Sequence, residues 1–464
     1  MTDSATAPLN PLDLRVAIVG AGPAGIYAGN ILSGAVAARG GTVAIDLFES
    51  LPAPYGLIRY GVAPDHPRIK GIVTSLHDML DSGVIRLIGN VEVGRDIGLD
   101  ELHERYDAVV LATGAIRDVA LDIPGIDLPG SYGAADFVAW YDGHPDVPRE
   151  WPLEAASIAV IGNGNVALDV ARVLAKHADD LLPTEIPDNV HAGLKASPVT
   201  DVHVFGRRGP QDIKFTPIEL RELGEVRDVD IVLHDEDFAH LEGFVPANNQ
   251  LKVMLRTFDQ WRARETGTAS RRLHLHFHRT PVEVLGTDAV EGVRFERNTP
   301  NTDGTVVGTG EFVDYPVQAV YRAVGYYGSP VVGAPFDADA GVVSNVEGRV
   351  VDGDAPVAGL YATGWIKRGP VGLIGHTKSD AMETVEHLVA DAEAGLLPAP
   401  AVGGDVLDLL AERDVPYTTW DGWLALDAHE RALGEAHPHS RERVKVVPRE
   451  EQVEVSRVGA LSRS

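Results

Sequence analysis

The sequence has no cysteine at any of its 464 positions. That excludes a redox-active disulfide, a cysteine-ligated iron–sulfur cluster and a disulfide-stapled secreted fold. Any redox chemistry must be carried by a bound cofactor. Positive charge is also scarce: Lys and Arg number 40 against 68 Asp and Glu, a formal net charge of −28. Such a chain repels nucleic acid and anionic membranes, so neither is expected as a partner. An acidic protein partner would need a local basic patch. Long unbroken apolar runs are missing too. The most apolar stretch, residues 16–38, is interrupted by five glycines and a proline, which argues against a membrane helix. The opening MTDSATAPLNPLD is polar and Pro-rich and lacks the basic-then-apolar order of a signal peptide. It reads as a disordered lead, and a cytoplasmic location is expected.

What is present is a pattern that occurs twice. The chain is too long for one compact core, so two or three domains are expected. LRVAIVG (14–20) reads as a buried strand, GAGPAG as a tight turn, and a helix follows to about residue 38. A second strand, TVAIDLFE (42–49), ends in Glu49. DHPRIKGIVTSLHDMLDSG (65–83) reads as a helix with Pro67 in its first turn and Gly83 just past its end. YDAVVLATGA (106–115) is a buried strand. Then SIAVIGNGNVALDVARVLAKHA (157–178) repeats strand, glycine turn and helix, and VTDVHVFGRRGP (199–210) supplies its second strand. RRLHLHFHRTPVEVLG (271–286), of period two, and GVRFERN (292–298) mark a strand-rich segment. A helix is expected over 376–395, and a helix or two in the Pro-rich tail.

Two dinucleotide units imply an α/β fold with two doubly wound, Rossmann-like domains. The ATGA and ATGW turns resemble each other and flank the second unit, which is therefore expected to be inserted into the first. The expected division is 1–115 and 323–464 for the first, discontinuous domain and 116–322 for the inserted second one; the strand-end charges assign FAD-binding to the first and NADP-binding to the insert.

Gly20, Gly22 and Gly25 form GxGxxG between strand and helix. The first glycine allows the tight turn, the second lets a pyrophosphate approach the backbone, and the third lets helix and strand pack closely. Glu49 at the second strand's end suits a ribose without a 2′-phosphate, so FAD or NAD. The second turn, GNGNVA, is GxGxxA. Its unit ends in Arg207 and Arg208, whose forked donors match a phosphate dianion. The pair points to NADPH in the second site and leaves FAD for the first. Downstream, Thr216, Pro217 and Glu219 make a capping box, with Glu222 one turn later.

The motifs VAPDHPRIK, GNGNVALDVAR, GRRGP, FTPIELRE and GWIKRGPVGLIG occur in that order. Together they resemble ferredoxin–NADP(+) reductases of the adrenodoxin reductase type, particularly the actinobacterial members. The resemblance implies NADPH-dependent, FAD-mediated electron transfer, one electron at a time, to a ferredoxin. It implies FAD contacts at Ala24, Glu49, Leu57, Val93, Trp365, Gly372, Leu373 and Ile374. It implies NADP contacts at Asn163, Gly164, Asn165, Val166, Arg207, Arg208, Glu219 and Gly372, and an active-site pair, His66 and Glu222. Val119 departs from the family, which often has an NADP-contacting Arg there; Arg117 is its nearest substitute. No metal is expected. In GPVGLIG, Gly372 is expected to let nicotinamide and flavin rings stack closely.

An acidic ferredoxin calls for a basic docking face. Arg256, Arg262, Arg264, Arg271, Arg272 and Arg279 are the candidates, against the reading of a solvated surface. The alternatives to the reductase are an NADPH-dependent flavin monooxygenase and a non-catalytic flavin or NADP sensor.

Overall fold

A computed structural model describes residues 12–66, 71–301, 305–370 and 374–461. Two sheets, one mixed and one parallel, organise it. The first runs, from one edge, Asn345–Val346, Arg349–Asp352, Ala355–Ala362, Ala108–Leu111, Asp13–Val19, Thr42–Phe48 and Ile85–Ile88. Its last five strands are parallel and the first two join antiparallel. Both faces are covered, which is why these strands read as continuous apolar runs rather than alternating ones. Val16, Ile18, Ile45, Leu47 and Val110 belong to one core, and Ala17, Val19, Phe48, Val109 and Leu111 to the other.

The second sheet is entirely parallel: Ser131–Gly133, Ala319–Arg322, Ser157–Ile161, Asp201–Phe205, Arg271–His276 and Val229–Leu233. All its strands come from the chain between the adjacent host strands Ala108–Leu111 and Ala355–Ala362. The fold is thus two doubly wound units, the second inserted into the first, and the ATGA and ATGW turns sit side by side at the ends of paired strands. The chain enters and leaves the insert through one antiparallel ribbon, in which Asp118 pairs with Tyr326 and Arg117 with Tyr327.

The stretch 271–286 is strand-rich, as expected, and its two strands belong to different sheets. It breaks at His278, whose φ is +55°, and Arg279–Leu285 joins Gly292–Pro300 and Val306–Tyr315 in an antiparallel meander. The meander covers one face of the inserted sheet, with Phe295 stacked on Phe205 at 4.0 Å. The helix expected from 65 is observed as Val73–Asp81. Asp65 and His66 lie in a turn before it, held there by ion pairs to the inserted domain. Pro67 lies outside the described residues; Gly83 does end the helix, at φ +75°. The tail carries three helices, Val406–Glu412, Trp420–Ala436 and Arg449–Leu461, rather than one or two.

The docking face also changes. Arg279 is 2% exposed and pairs with Glu236 and Asp237. Arg271 donates to the carbonyls of Ala175 and Lys176 at the end of the helix Asn165–Ala175. Arg272 is matched by Asp201 and Arg262 by Asp235. Only Arg256 and Arg264 of the six remain exposed without a described partner.

Candidate functional site

The two glycine turns divide their work identically. Gly20 has φ +109°, and a Cβ there would come within 2.5 Å of the Ala112 carbonyl oxygen. Gly162 has φ +139° and would overlap the carbonyl of Ala323 in the same way. Each first glycine is therefore pressed against the neighbouring strand's end. The second glycines, Gly22 and Gly164, face open space, with nothing within 4 Å of an added Cβ. Each is the cap of a helix start that has no side-chain cap and no acid in its first turn. A bare helix N-terminus above an open cradle fits a pyrophosphate. At the third position Gly25 would overlap the Gly20 carbonyl if given a Cβ, whereas the second turn tolerates Ala167, fully buried.

The strand ends then differ. Glu49 is buried. One carboxylate oxygen accepts from the Ala21 N–H at 2.8 Å, the other from the Leu51 N–H and Ser50 hydroxyl at 3.1 Å. Burial pushes its pKa up, against these hydrogen bonds, which lower it. The remaining lone pairs suit ribose hydroxyls. At the corresponding point of the second unit, Arg207 is exposed and Arg208 half-buried. Neither guanidinium has a hydrogen bond or ion pair among the described residues. Asn163 stands over Gly206, where a Cβ would come within 2.6 Å of its amide nitrogen. Asn165 Oδ1 is buried without a hydrogen-bond partner. An orphaned acceptor, an open cradle and two uncommitted cations fit a phosphorylated nucleotide.

Around the first turn, Gly56 (φ +50°) and Gly364 (φ +75°) lie against Gly22 and Ala24. Asp380 on the helix Ile374–Glu393 accepts from the Gly364 N–H and the Thr363 hydroxyl. That contact holds the turn from which Trp365, half-buried, starts the short helix Trp365–Arg368. Leu57 opens the helix Leu57–Tyr60, and Val93, also half-buried, bridges to Ile97. Gly372 and Leu373 lie outside the described residues; Ile374 begins its helix. Val166 and Gly164 flank Asn165 at the open turn. Glu219 is buried and its carboxylate accepts from both the N–H and the hydroxyl of Thr216, so it closes the capping box. Arg117 is exposed on the connecting ribbon.

His66 and Glu222 are brought together. His66 is 4% exposed, with Nδ1 2.8 Å from Glu222 and Nε2 2.8 Å from Asp169. Asp169 was not among the expected residues. It and Arg172 are the two charges on the apolar helix Asn165–Ala175, one turn apart, and that was the available signal. Arg172, 1% exposed, forks between Asp169 and Asp65, and Lys176 also reaches Asp65. The turn 65–66 is thereby tied to the inserted domain. Burial disfavours the charged imidazole, but the hydrogen bond and charge of Asp169, with Glu222 adding, outweigh it and raise the His66 pKa. Burial likewise pushes Glu222 up, against His66 and Arg172.

A raised folded pKa stabilises the fold in the protonated state. That stabilisation is complete below the unfolded value of about 6.5 and is lost as pH rises through the folded one. The stability gap between wild type and His66→Gln should therefore be widest in acid and narrow above about pH 6.5, as read by urea unfolding across pH. A gap that widened with pH would contradict the pairing.

Two dinucleotide-type turns on doubly wound sheets, one ending in an acid and one in a cation pair, define a two-nucleotide oxidoreductase. Residues 14–206 match the pyridine nucleotide-disulphide oxidoreductase family, although this chain has no cysteine for a disulphide. It is 41% identical to the NADPH-ferredoxin reductase FprA of Mycobacterium tuberculosis over 93% of this chain and 96% of that one. It is 38% identical to the human mitochondrial NADPH:adrenodoxin oxidoreductase over 93% and 90%. The solved structure of Mycobacterium tuberculosis FprA in complex with NADPH superposes with a TM-score of 0.88 at 39% identity, over 96% of this chain and all of that one. The chain belongs to the family of NADPH-ferredoxin and NADPH:adrenodoxin reductases.

Proposed function

We infer that the protein is an FAD-dependent reductase that takes a hydride from NADPH and delivers electrons singly to an iron–sulfur protein of the ferredoxin class. The observation that carries the nucleotide assignment is the contrast between buried Glu49 and the uncommitted pair Arg207 and Arg208. When bound, the flavin supplies the conversion of a two-electron donor into one-electron deliveries. The rest falls to the protein. Gly22 and Gly164 leave room for pyrophosphates at two helix ends, Glu49 receives ribose hydroxyls, and Arg207 and Arg208 hold the 2′-phosphate.

We assign Gly20, Gly25, Ala24, Leu57, Val93, Trp365, Gly372, Leu373 and Ile374 to the flavin site. Asn163, Asn165, Val166 and Glu219 go to the NADP site, Glu219 by holding the start of its helix. His66, fixed between Asp169 and Glu222, is assigned to the reaction centre with Glu222. The boundaries 115/116 and 322/323 are proposed with it; they are supported by an inserted sheet whose strands all fall between 131 and 322. Among the described residues no helix is long and apolar enough to cross a membrane, and we propose a cytoplasmic location, testable by cell fractionation.

The deciding assay is ferredoxin or cytochrome c reduction with NADPH against NADH. NADPH is expected to be strongly preferred. Failure of NADPH to bleach the flavin anaerobically would remove the reductase reading.

Gly22 gives a sharper check. Gly22→Ala places its methyl in open space, so the protein should fold with near-normal stability yet lose bound FAD. Gly25→Ala, which meets a carbonyl, should cost about 1–3 kcal/mol of stability as well. Thermal unfolding and flavin content separate the two.

A further inference from the structure

A group of histidines outside the glycine turns shares one face of the inserted sheet. His203 and His274 are register partners on the neighbouring parallel strands Asp201–Phe205 and Arg271–His276. The period-two spacing puts His276 on the same face as His274. The His203 ring stacks on His274 at 4.2 Å and lies 5.3 Å from His276. One ring nitrogen from each of the three lies within 4.8 Å of the others. His203 Nδ1 and His276 Nε2 are 3.0 Å apart. Two imidazole nitrogens on a tetrahedral zinc, each at about 2.0–2.1 Å, stand about 3.3 Å apart. We propose that His203, His274 and His276 form a binding site for a divalent transition-metal ion such as zinc.

The donor chemistry fits. Imidazole suits zinc, copper and nickel, and three such ligands leave a fourth position for water. Asp201 accepts from His274 Nε2 at 3.0 Å, which fixes the proton there and leaves the lone pair on Nδ1. Asp201 is itself held by Arg272 at 2.6 and 2.7 Å. The 3.0 Å contact now uses one N–H and one lone pair. Metal binding needs one ring to move its proton to its far nitrogen, with no net proton released, and the near-parallel rings to turn so that their in-plane lone pairs converge. His234 stacks on His276 at 4.6 Å from the adjoining strand end and is the next imidazole at hand. The strand carrying His203 runs directly into Gly206, Arg207 and Arg208, and Gly206 N–H donates to the His276 carbonyl at 2.9 Å. An ion joining the two strands therefore also braces the base of the arginine turn.

The test titrates chelator-treated holoenzyme, free of NADPH, with zinc chloride alone by calorimetry. One tight site per chain is expected. It should weaken by about a hundredfold or more in the double variant His203→Gln/His274→Gln, and by about 10–100-fold in Asp201→Asn. Flavin content and NADPH-dependent flavin reduction report whether each variant is folded. Diffraction from zinc-soaked wild-type crystals at the zinc edge should place the ion among the three imidazoles, and decides alone if the variants misfold. Undiminished tight binding by a folded double variant, or zinc found only on surface carboxylates, overturns the site.

Discussion

Replacing Arg207 and Arg208 together with glutamine is expected to lower kcat/KM for NADPH by two to four orders of magnitude and to leave NADH nearly untouched. Each hydrogen bond between charged groups contributes about 1.5–3 kcal/mol, so two lost together come to about 3–6 kcal/mol. The lower end applies if water screens the exposed Arg207 in the complex. Neither side chain holds the protein's own structure through a hydrogen bond or ion pair among the described residues. The fold should therefore survive, and the loss should appear as KM. Steady-state ferredoxin reduction with both nucleotides measures it. Equal losses with NADPH and NADH would mean that the arginines serve the turn rather than the phosphate.

Glu430→Gln is expected to be the most destabilising single substitution of a charged residue, at about 3–5 kcal/mol. Glu430 is fully buried and lies 2.5 Å from Arg59, itself 5% exposed. It also faces Arg443 at 3.5 Å and accepts from the Val446 N–H at 3.0 Å. Removing its charge leaves Arg59 without its anion between the rings of Tyr60 and Trp423. The same knot reaches the inserted domain, since Lys445 donates to the carbonyls of Arg59 and Asp142 and pairs with Glu185. Urea unfolding followed by flavin fluorescence should show the loss. Replacing Arg59 as well, as Arg59→Met/Glu430→Gln, should recover part of it, because the stranded charge goes with it.

Much of the local geometry at the proposed nucleotide sites is legible in the sequence. A glycine at positive φ, an open second glycine and the sign of the charge at a strand's end are set within a few residues. Glu49, Arg207 and Arg208 could be read in that way. Partners distant in sequence could not. Asp169 meets His66 across 103 residues; its place with Arg172 on an apolar helix marks it as unusual but does not name its partner. Asp380, which holds the Gly364–Trp365 turn, sits inside an ordinary amphipathic helix. The arginines of the inserted domain looked like a basic face because their acids, Asp201, Asp235, Glu236 and Asp237, come from other strands and loops. The tail's buried charges were equally silent, since Lys and Arg usually read as surface.

The ribbon joining Arg117–Asp118 to Tyr326–Tyr327 also bears on the order of assembly. Host strands Ala108–Leu111 and Ala355–Ala362 are hydrogen-bonded neighbours, yet about 250 residues separate them along the chain, an entropic burden that an unfolded connection would impose in full. Once the insert has folded, its two ends emerge side by side, and the effective loop shrinks to the stretches 112–116 and 328–354. An insert that folds first would act as an internal template, with the host sheet completed second. Substitutions that slow the insert's folding would then slow the appearance of the flavin site, far from where they lie.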